Sequence, residues 1–257
     1  MTLAHLTFYS DVLRRDTHIN VIYPQVCERT PLELRDKIKP PYPVLYLLHG
    51  LSGNEDSFLR FTALERYARD KGLVIVMPTT DRLFYINNEA GYNYGDYITQ
   101  ELPQFIANIF HVSTDRQNTF IAGASMGGYG ALNAAFKYPE NYGYVGSLSG
   151  VMDIQARYKQ GPDPQSPEEF HMIFGGIPPQ GTDKDIYYLI NQVKDTTIDL
   201  PKVWLACGKD DVLLEQNRHF KEQFEHHLDL TYIEASGGHD WIFWDQHIEL
   251  MLNTLPI

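Results

Sequence analysis

The sequence predicts an α/β fold: a mostly parallel central sheet of about eight strands, with helices on both faces and one small insertion. Three observations predict it. Short continuous apolar runs recur, such as Val44-Leu45-Tyr46-Leu47-Leu48 and Leu73-Val74-Ile75-Val76-Met77, and runs of this kind mark strands buried on both faces. Stretches with helical spacing lie between them, and strands joined by such crossovers pair in parallel. The length of 257 residues fits one large domain, and nothing in the chain calls for two.

Residues 4–13 and 17–24 read as two early strands joined by an Arg15-Asp16 turn, an antiparallel pair at one edge of the sheet. Pro31 to Pro43 is charged and punctuated by proline, so a loop is expected. The strand at Val44–Leu48 ends in His49-Gly50-Leu51-Ser52-Gly53, and one helix is expected over Phe58–Arg69. Pro78 should stop the strand Leu73–Met77. A helix over Tyr97–Phe110 would hold Pro103 near its first turns, where a missing N–H does least harm. A buried strand then runs from Thr119 into Gly123-Ala124-Ser125-Met126-Gly127. The helix after it, about 127–137, has a small face of Gly130, Ala131 and Ala134 and is stopped by Pro139. Tyr144–Leu148 is the next strand. Between residues 151 and 200 the alternation breaks down, with one short helical piece near 168–174. This insertion is expected to lie as a cap over the carboxyl ends of the strands, where open α/β sheets place their sites. The regular pattern returns with a strand at Val203–Cys207, a helix at Glu215–Leu228, a strand at Leu230–Glu234 and a closing helix at Ile242–Leu255.

The net charge of −12, with no basic run, makes nucleic acid and anionic membranes poor candidate partners. The first fifteen residues lack a basic start and place Asp11 among the apolar ones, so no secretory leader is expected. No apolar run approaches the roughly 20 residues of a membrane span. Two cysteines, Cys27 and Cys207, are too few for a disulfide framework. Cys207 closes an apolar strand and reads as a buried free thiol, which favours a reducing, cytoplasmic setting.

Gly123-x-Ser125-x-Gly127 between a strand and a helix fits a nucleophile elbow, a turn so sharp that the serine is strained and its hydroxyl exposed. Glycine is required on either side because a Cβ there would meet the neighbouring strand or helix. A serine hydroxyl is a weak nucleophile and needs a base, which in turn needs a carboxylate to orient it. His239, in Ser236-Gly237-Gly238-His239-Asp240-Trp241 just after a strand, is the expected base, because the paired glycines free the loop to carry the imidazole over the sheet. His219, His226, His227 and His247 fall in helical stretches and His171 in the insertion. The acid should follow a strand and precede His239. Asp210 and Asp211 both satisfy this, Asp153 less well, and Asp240 and Asp245 stand too near His239 in sequence. Two backbone N–H groups should receive a developing oxyanion: Met126 at the helix start, and Leu51 in the loop after an early strand.

The blocks Leu45–Gly53, Gly123-Ala124-Ser125-Met126-Gly127-Gly128-Tyr129-Gly130-Ala131-Leu132 and Gly237-Gly238-His239-Asp240-Trp241-Ile242-Phe243-Trp244 resemble the esterase D-like branch of the α/β-hydrolases, and are most similar to bacterial tributyrin esterases. The resemblance spans most of the chain and fades in the insertion. It implies an α/β-hydrolase fold with Ser125 as nucleophile, His239 as base, and Leu51 and Met126 as oxyanion donors. It also implies Asp211 as the acid, because the family aspartate ends a Gly-x-x-Asp stretch. S-formylglutathione hydrolases of the same branch carry a cysteine shortly after the Leu-Ser-Gly loop. Here Asn54-Glu55-Asp56-Ser57-Phe58 has none, which lowers the glutathione reading. Feruloyl and acetyl-xylan esterases and mycolyl-type acyltransferases are similar too. A homo-oligomer is expected from the resemblance alone. The chemistry needs no cofactor and no metal. An acyltransferase with the same residues is the competing enzyme class, and a binding module on a hydrolase scaffold the competing non-enzymatic one.

Short acyl chains, roughly acetyl to butyryl, are the expected substrates. The segment from Phe84 to Tyr94 follows a strand end, so Phe84, Tyr85, Tyr92 and Tyr94 could wall the cleft with their hydroxyls near water, or could pack the loop against the sheet. The insertion carries Asp163, Glu168, Glu169, Asp183, Lys184 and Asp185, too polar for the lid of a long-chain lipase.

Overall fold

The computed structural model describes residues 1–88, 91–160 and 167–257; Glu89, Ala90 and Asp163 lie outside the described residues, as does the side chain of Glu168. Eight strands form one sheet in the order β1-β2-β4-β3-β5-β6-β7-β8. They are β1 (Thr2–Ser10), β2 (Arg15–Tyr23), β3 (Val44–Leu48), β4 (Val74–Pro78), β5 (Thr119–Ala124), β6 (Tyr144–Leu148), β7 (Lys202–Gly208) and β8 (Leu230–Ala235). β1 pairs antiparallel with β2, and β2 antiparallel with β4, while β4 through β8 are parallel. The first hairpin differs from expectation in its turn. Arg15 and Asp16 pair with Ser10 and Tyr9, and the connection is residues 11–14, whose Arg14 takes φ 55°. The Glu101 carboxylate fixes this bend by accepting from the N–H groups of Asp11 and Val12 at 2.7 and 3.2 Å.

The central strands are apolar throughout because both faces are covered. Tyr46, Val76, Ile121 and Leu205 face one hydrophobic cluster, while Leu45, Leu47, Ile75 and Ala122 face the other. The helices are α1 (Leu32–Arg35), α2 (Ser57–Phe61), α3 (Leu64–Ala68), α4 (Tyr94–Asp96), α5 (Leu102–Ile109), α6 (Met126–Lys137), α7 (Ile154–Gln160), α8 (Pro167–Phe174), α9 (Ile186–Val193), α10 (Leu214–Phe224) and α11 (Trp241–Leu252). Residues of α5, α6, α8, α9 and α10 join the first cluster, and those of α2, α3 and α11 the second. β3 lies between β4 and β5, so the connections from β3 and β5 leave towards opposite sides. The loops after β3 and β5 therefore flank a topological switch point, where the crevice of an open α/β sheet lies.

Four helical expectations need correction. The loop expected between Pro31 and Pro43 contains the single turn α1. The helix expected over Phe58–Arg69 is broken into α2 and α3 at Thr62, whose backbone is extended. Asp245 on α11 accepts from Ala63 N–H at 2.8 Å and from the Tyr67 hydroxyl at 3.1 Å, so a remote carboxylate restarts the helix. The helix around Pro103 begins earlier, at Tyr94, and widens into a π turn over Tyr97–Glu101 before α5. Proline clashes with the carbonyl four residues back, here Thr99, which lies in the widened turn. The insertion holds three helices among the described residues rather than one. One of them, α9, is capped by Asp185, which accepts from Tyr187 and Tyr188 N–H, and it buries Ile186 and Ile190.

Candidate active site

Ser125 joins β5 to α6 with φ 57° and ψ −115°, a region that a residue with a side chain rarely enters. The turn is held by its neighbours: Ser125 N–H donates to Leu148 O at 2.8 Å, and Val151 N–H donates to Ser125 O at 3.3 Å. The flanking glycines are sterically required. A Cβ on Gly127 would stand 2.1 Å from Leu48 O, and one on Gly123 would stand 2.4 Å from Gly127 backbone atoms.

His239 follows β8 in a loop that bends at Gly237, φ 138°. This loop crosses close over the end of β7, where a Cβ on Gly208 would lie 2.2 Å from Gly237 O. Asp210 N–H donates to Gly237 O at 2.9 Å, which fixes the two loops together. The result is a continuous contact chain. His239 Nε2 lies 2.9 Å from Ser125 Oγ, and Nδ1 lies 3.0 Å from each oxygen of Asp211. A carboxylate at Nδ1 favours the tautomer with its proton there, leaving Nε2 to accept from the serine.

Of the two adjacent aspartates left open by the residue pattern, Asp211 meets the imidazole and Asp210 is exposed. Asp211 is only 6% exposed. Burial pushes its pKa up, but the hydrogen bonds from His239 and from Leu213 N–H, with the Ser149 hydroxyl near, outweigh that and hold the carboxyl below its usual range. The other acids are engaged elsewhere. Asp153 caps α7 through Ala156 N–H, and Asp240 caps α11 through Phe243 N–H. His247 lies in α11, its Nδ1 donating to Phe243 O at 2.8 Å.

Met126 is the first residue of α6, so no carbonyl one turn earlier can receive its N–H. Leu51 follows Gly50, whose added Cβ would lie 3.5 Å from Ser125 Cβ, so this loop passes directly beside the serine. His49 anchors the loop. It is buried, its Nδ1–H donates to Gly50 O at 2.7 Å, and its Nε2 accepts from Thr80 N–H at 3.0 Å. Burial lowers the pKa of this imidazole and keeps it neutral, as an accepting Nε2 requires. Tyr85 adds a second anchor by donating its hydroxyl to His49 O at 2.8 Å.

That contact corrects the expected aromatic wall. Tyr85 and Tyr94 are buried, the Tyr85 hydroxyl donating to His49 O and the Tyr94 hydroxyl to the half-exposed Asp81 carboxylate. Phe84 is also buried, edge-on to Tyr129 and Phe170. Backbone strain accompanies the turn, with φ of 54° at Phe84 and 58° at Tyr85. Tyr92 lines an open cleft of about 590 Å³, shared with Leu51, Ser52, Asn54, Thr80 and Arg82. Arg82 reaches across to α8 and donates to both oxygens of Glu169, at 2.7 and 2.9 Å. A larger cleft of about 690 Å³, beside Met1, Cys27 and Arg66, contains none of the residues around Ser125.

Sequence reasoning missed Ser149, a buried residue just past β6, and the anchoring use of His49 and Tyr85. A short polar residue at a strand end, in Ser147-Leu148-Ser149-Gly150, was the available signal for Ser149. Among the described residues, no group of three or more His, Cys, Asp or Glu side chains could hold a metal ion, and no helix is long and apolar enough to cross a membrane.

The sequence profile of the Esterase family, described as "Putative esterase", matches residues 10–255. An acetyl esterase of Caldicellulosiruptor saccharolyticus is 31% identical over 255 residues, covering 96% of this chain and 96% of that protein. FphF, a fluorophosphonate-binding serine hydrolase of Staphylococcus aureus solved with substrate bound, superposes with a TM-score of 0.87 at 30% identity, covering 99% of this chain and 98% of its own. The S-formylglutathione hydrolase FrmB of Staphylococcus aureus gives 0.84 at 31% identity, covering 99% of both chains. With its eight-stranded, mostly parallel sheet, the chain has an α/β-hydrolase fold and belongs to the Esterase family of carboxylic ester hydrolases.

Proposed function

We propose that the protein is a serine carboxylesterase for short-chain acyl esters, with Ser125 as nucleophile, His239 as general base and Asp211 as the carboxylate that orients it. The observation that carries this reading is the contact chain of 2.9 and 3.0 Å from Ser125 Oγ through His239 to Asp211, on a strained elbow. His239 Nε2 takes the serine proton as Oγ attacks the ester carbonyl. The N–H groups of Leu51 and Met126 receive the oxyanion, aided by the positive end of α6. His239 then protonates the leaving alcohol, the acyl group remains on Ser125, and a water activated by the same imidazole releases it. No cofactor enters this sequence of steps.

Short acyl chains are the substrates this reading favours, and the acetyl esterase relative agrees with that choice; of the insertion, Glu169 reaches the cleft beside Leu51. The three sequence blocks favour the esterase D-like branch, tributyrin-esterase type. Likeness to FrmB supports a second reading, S-formylglutathione hydrolysis, against which stands the absence of cysteine in residues 54–58. A feruloyl esterase or an acyltransferase would use the same acyl-enzyme, and products formed with an added alcohol separate transfer from hydrolysis. Both cysteines are free thiols, which suits a cytoplasmic location. A homo-oligomer rests on the family resemblance only.

Ser125→Ala tests the reading. Esterase kcat is expected to fall by roughly four to six orders of magnitude, with the fold retained because a half-buried hydroxyl contributes little packing. An organophosphonate probe should label Ser125 and no other serine. Near-normal turnover by the alanine variant, or labelling elsewhere, would end the proposal.

A further inference from the structure

Far from Ser125, a cavity of about 310 Å³ opens between α5 and the amino ends of β5 and β6. Thr119, the first residue of β5, lines it, and Ser125 stands past the opposite end of that strand. A strand rises about 3.3 Å per residue, so the two places lie roughly 20 Å apart. Pro103 and Ala107 of α5, together with Val112, give the cavity apolar walls.

Its floor is formed by Tyr46 of β3 and by Tyr142, each only 1% exposed. The Tyr142 hydroxyl is buried without a hydrogen-bond partner, and the Tyr46 hydroxyl has none among the described residues. Buried hydroxyls of this kind are costly and uncommon in folded proteins. Two that line one cavity point to an acceptor supplied from outside the chain.

The surroundings narrow what that acceptor can be. Burial pushes both phenols above their ordinary range, so each keeps its proton and presents it as a donor. Glu140 stands among the exposed residues at the mouth, and among the described residues no Lys, Arg or His lines the cavity. An anion would meet a like charge and no counter-charge, while a cation would meet two phenolic protons at the floor. A neutral acceptor on an apolar body suits both ends. At the ~30 Å³ that a water takes in the liquid, the space admits roughly ten non-hydrogen atoms.

We infer that this cavity is a ligand site separate from the proposed active site, taking a small neutral carbonyl compound whose oxygen accepts from Tyr46 and Tyr142. The apolar body of the ligand lies against Pro103, Ala107 and Val112. The site needs neither Ser125 nor His239, so it stands or falls apart from the triad.

The probe is 4-fluoroacetophenone, a ketone of that size that ester hydrolysis cannot consume, titrated into the whole protein and followed by fluorine NMR. Saturable binding with a Kd of about 1 mM is expected, in the range of small ligands of this size. Tyr46→Phe and Tyr142→Phe should each weaken it about fivefold, and the double variant by more than about tenfold. Turnover of p-nitrophenyl acetate should be unchanged in all three. Phenylalanine keeps each ring and removes only an unpaired hydroxyl, so Tm without ligand should hold or rise. 4-Fluoroethylbenzene, similar in shape but lacking the oxygen, should bind about tenfold more weakly than the ketone, and 4-fluorobenzoate no better than the hydrocarbon. Equal binding of ketone and hydrocarbon would overturn the inference and leave the two hydroxyls to water. An affinity unchanged in the double variant would place the ketone elsewhere, and tighter binding of the benzoate would make this an anion site; either result defeats the proposal. So would a clear loss of Tm in a single variant, which would show that its hydroxyl already has a partner.

Discussion

The turn around Ser125 and the segment from Phe84 to Tyr94 both hold strained residues beside the proposed oxyanion loop, yet they are fixed by different means. Around Ser125 the constraint is backbone against backbone. Gly123, Gly127 and Leu48 approach so closely that a single methyl group has no room. Around Phe84 and Tyr85 the constraint is side-chain packing and one hydroxyl bond: Phe84 wedges between Tyr129 and Phe170, and Tyr85 reaches His49 O. The first kind of constraint writes itself into a short motif, because few residue types can satisfy it. The second spreads over residues far apart in the chain and tolerates other solutions. The proposed nucleophile thus sits on a rigid frame, beside a turn that is more open to change.

The largest test of that frame is its register. Asp211→Asn is expected to lower kcat by about 10⁴, because an amide at that position favours the wrong imidazole tautomer. Asp210→Asn should cost little, since Asp210 is exposed and its backbone N–H, the group that ties the loops together, survives the change. If the two variants exchanged phenotypes, the contacts of 3.0 Å between Asp211 and His239 would not describe the working enzyme. A stability measurement gives the sign independently. The folded-state pKa of Asp211 is lowered, so its charge stabilises the fold above the unfolded value of about 3.9, and that stability is lost as pH falls through the lower folded value. The asparagine variant should therefore lose part of the acid-limb slope in a denaturation series run downward from pH 5.

How much could be read beforehand divides along the same line. Apolar strands such as β3 and β4 were legible because burial on both faces leaves no polar position to confuse the period. The elbow was legible because sterics demand glycine at two fixed places. The break between α2 and α3 was not, since the carboxylate that caps Ala63 comes from Asp245 on the last helix. The interior placement of Tyr85 and Tyr94 was hidden for the same reason. Their partners, His49 and Asp81, lie on other segments, and a tyrosine-rich loop reads alike whether it faces water or the sheet. The three helices among the described residues of the insertion were hidden by its prolines and glycines.

A direct contest between the two kinds of constraint comes next in size. Gly127→Ala puts a Cβ against Leu48 O, a backbone atom that cannot move without displacing β3, and should destabilise by more than about 4 kcal/mol. Tyr85→Phe keeps the ring and loses the bond to His49 O, which should cost about 1–2 kcal/mol. Urea titration of both variants measures the ratio. Equal losses would mean that the Phe84-Tyr85 turn is as rigid as the elbow, and the contrast would fail.

The smallest effect belongs to the insertion, which touches the loop after β4 through Arg82 and Glu169. The two side chains are 39% and 22% exposed, so the pair should contribute under about 1 kcal/mol to stability. Its consequence should instead appear in substrate length. Each methylene that finds apolar surface adds about 0.8 kcal/mol of binding, so a short closed pocket gives kcat/KM rising to about four acyl carbons and then falling. That profile is measured on p-nitrophenyl acetate, butyrate, octanoate and palmitate. Glu169→Gln weakens the tie from α8 without changing its shape. It should leave turnover of the acetate unchanged and raise octanoate relative to butyrate by a fewfold at most. A wild-type maximum at octanoate or beyond would mean that the insertion leaves an open groove. An unaltered profile in Glu169→Gln would mean that the Arg82 pair does not govern the wall.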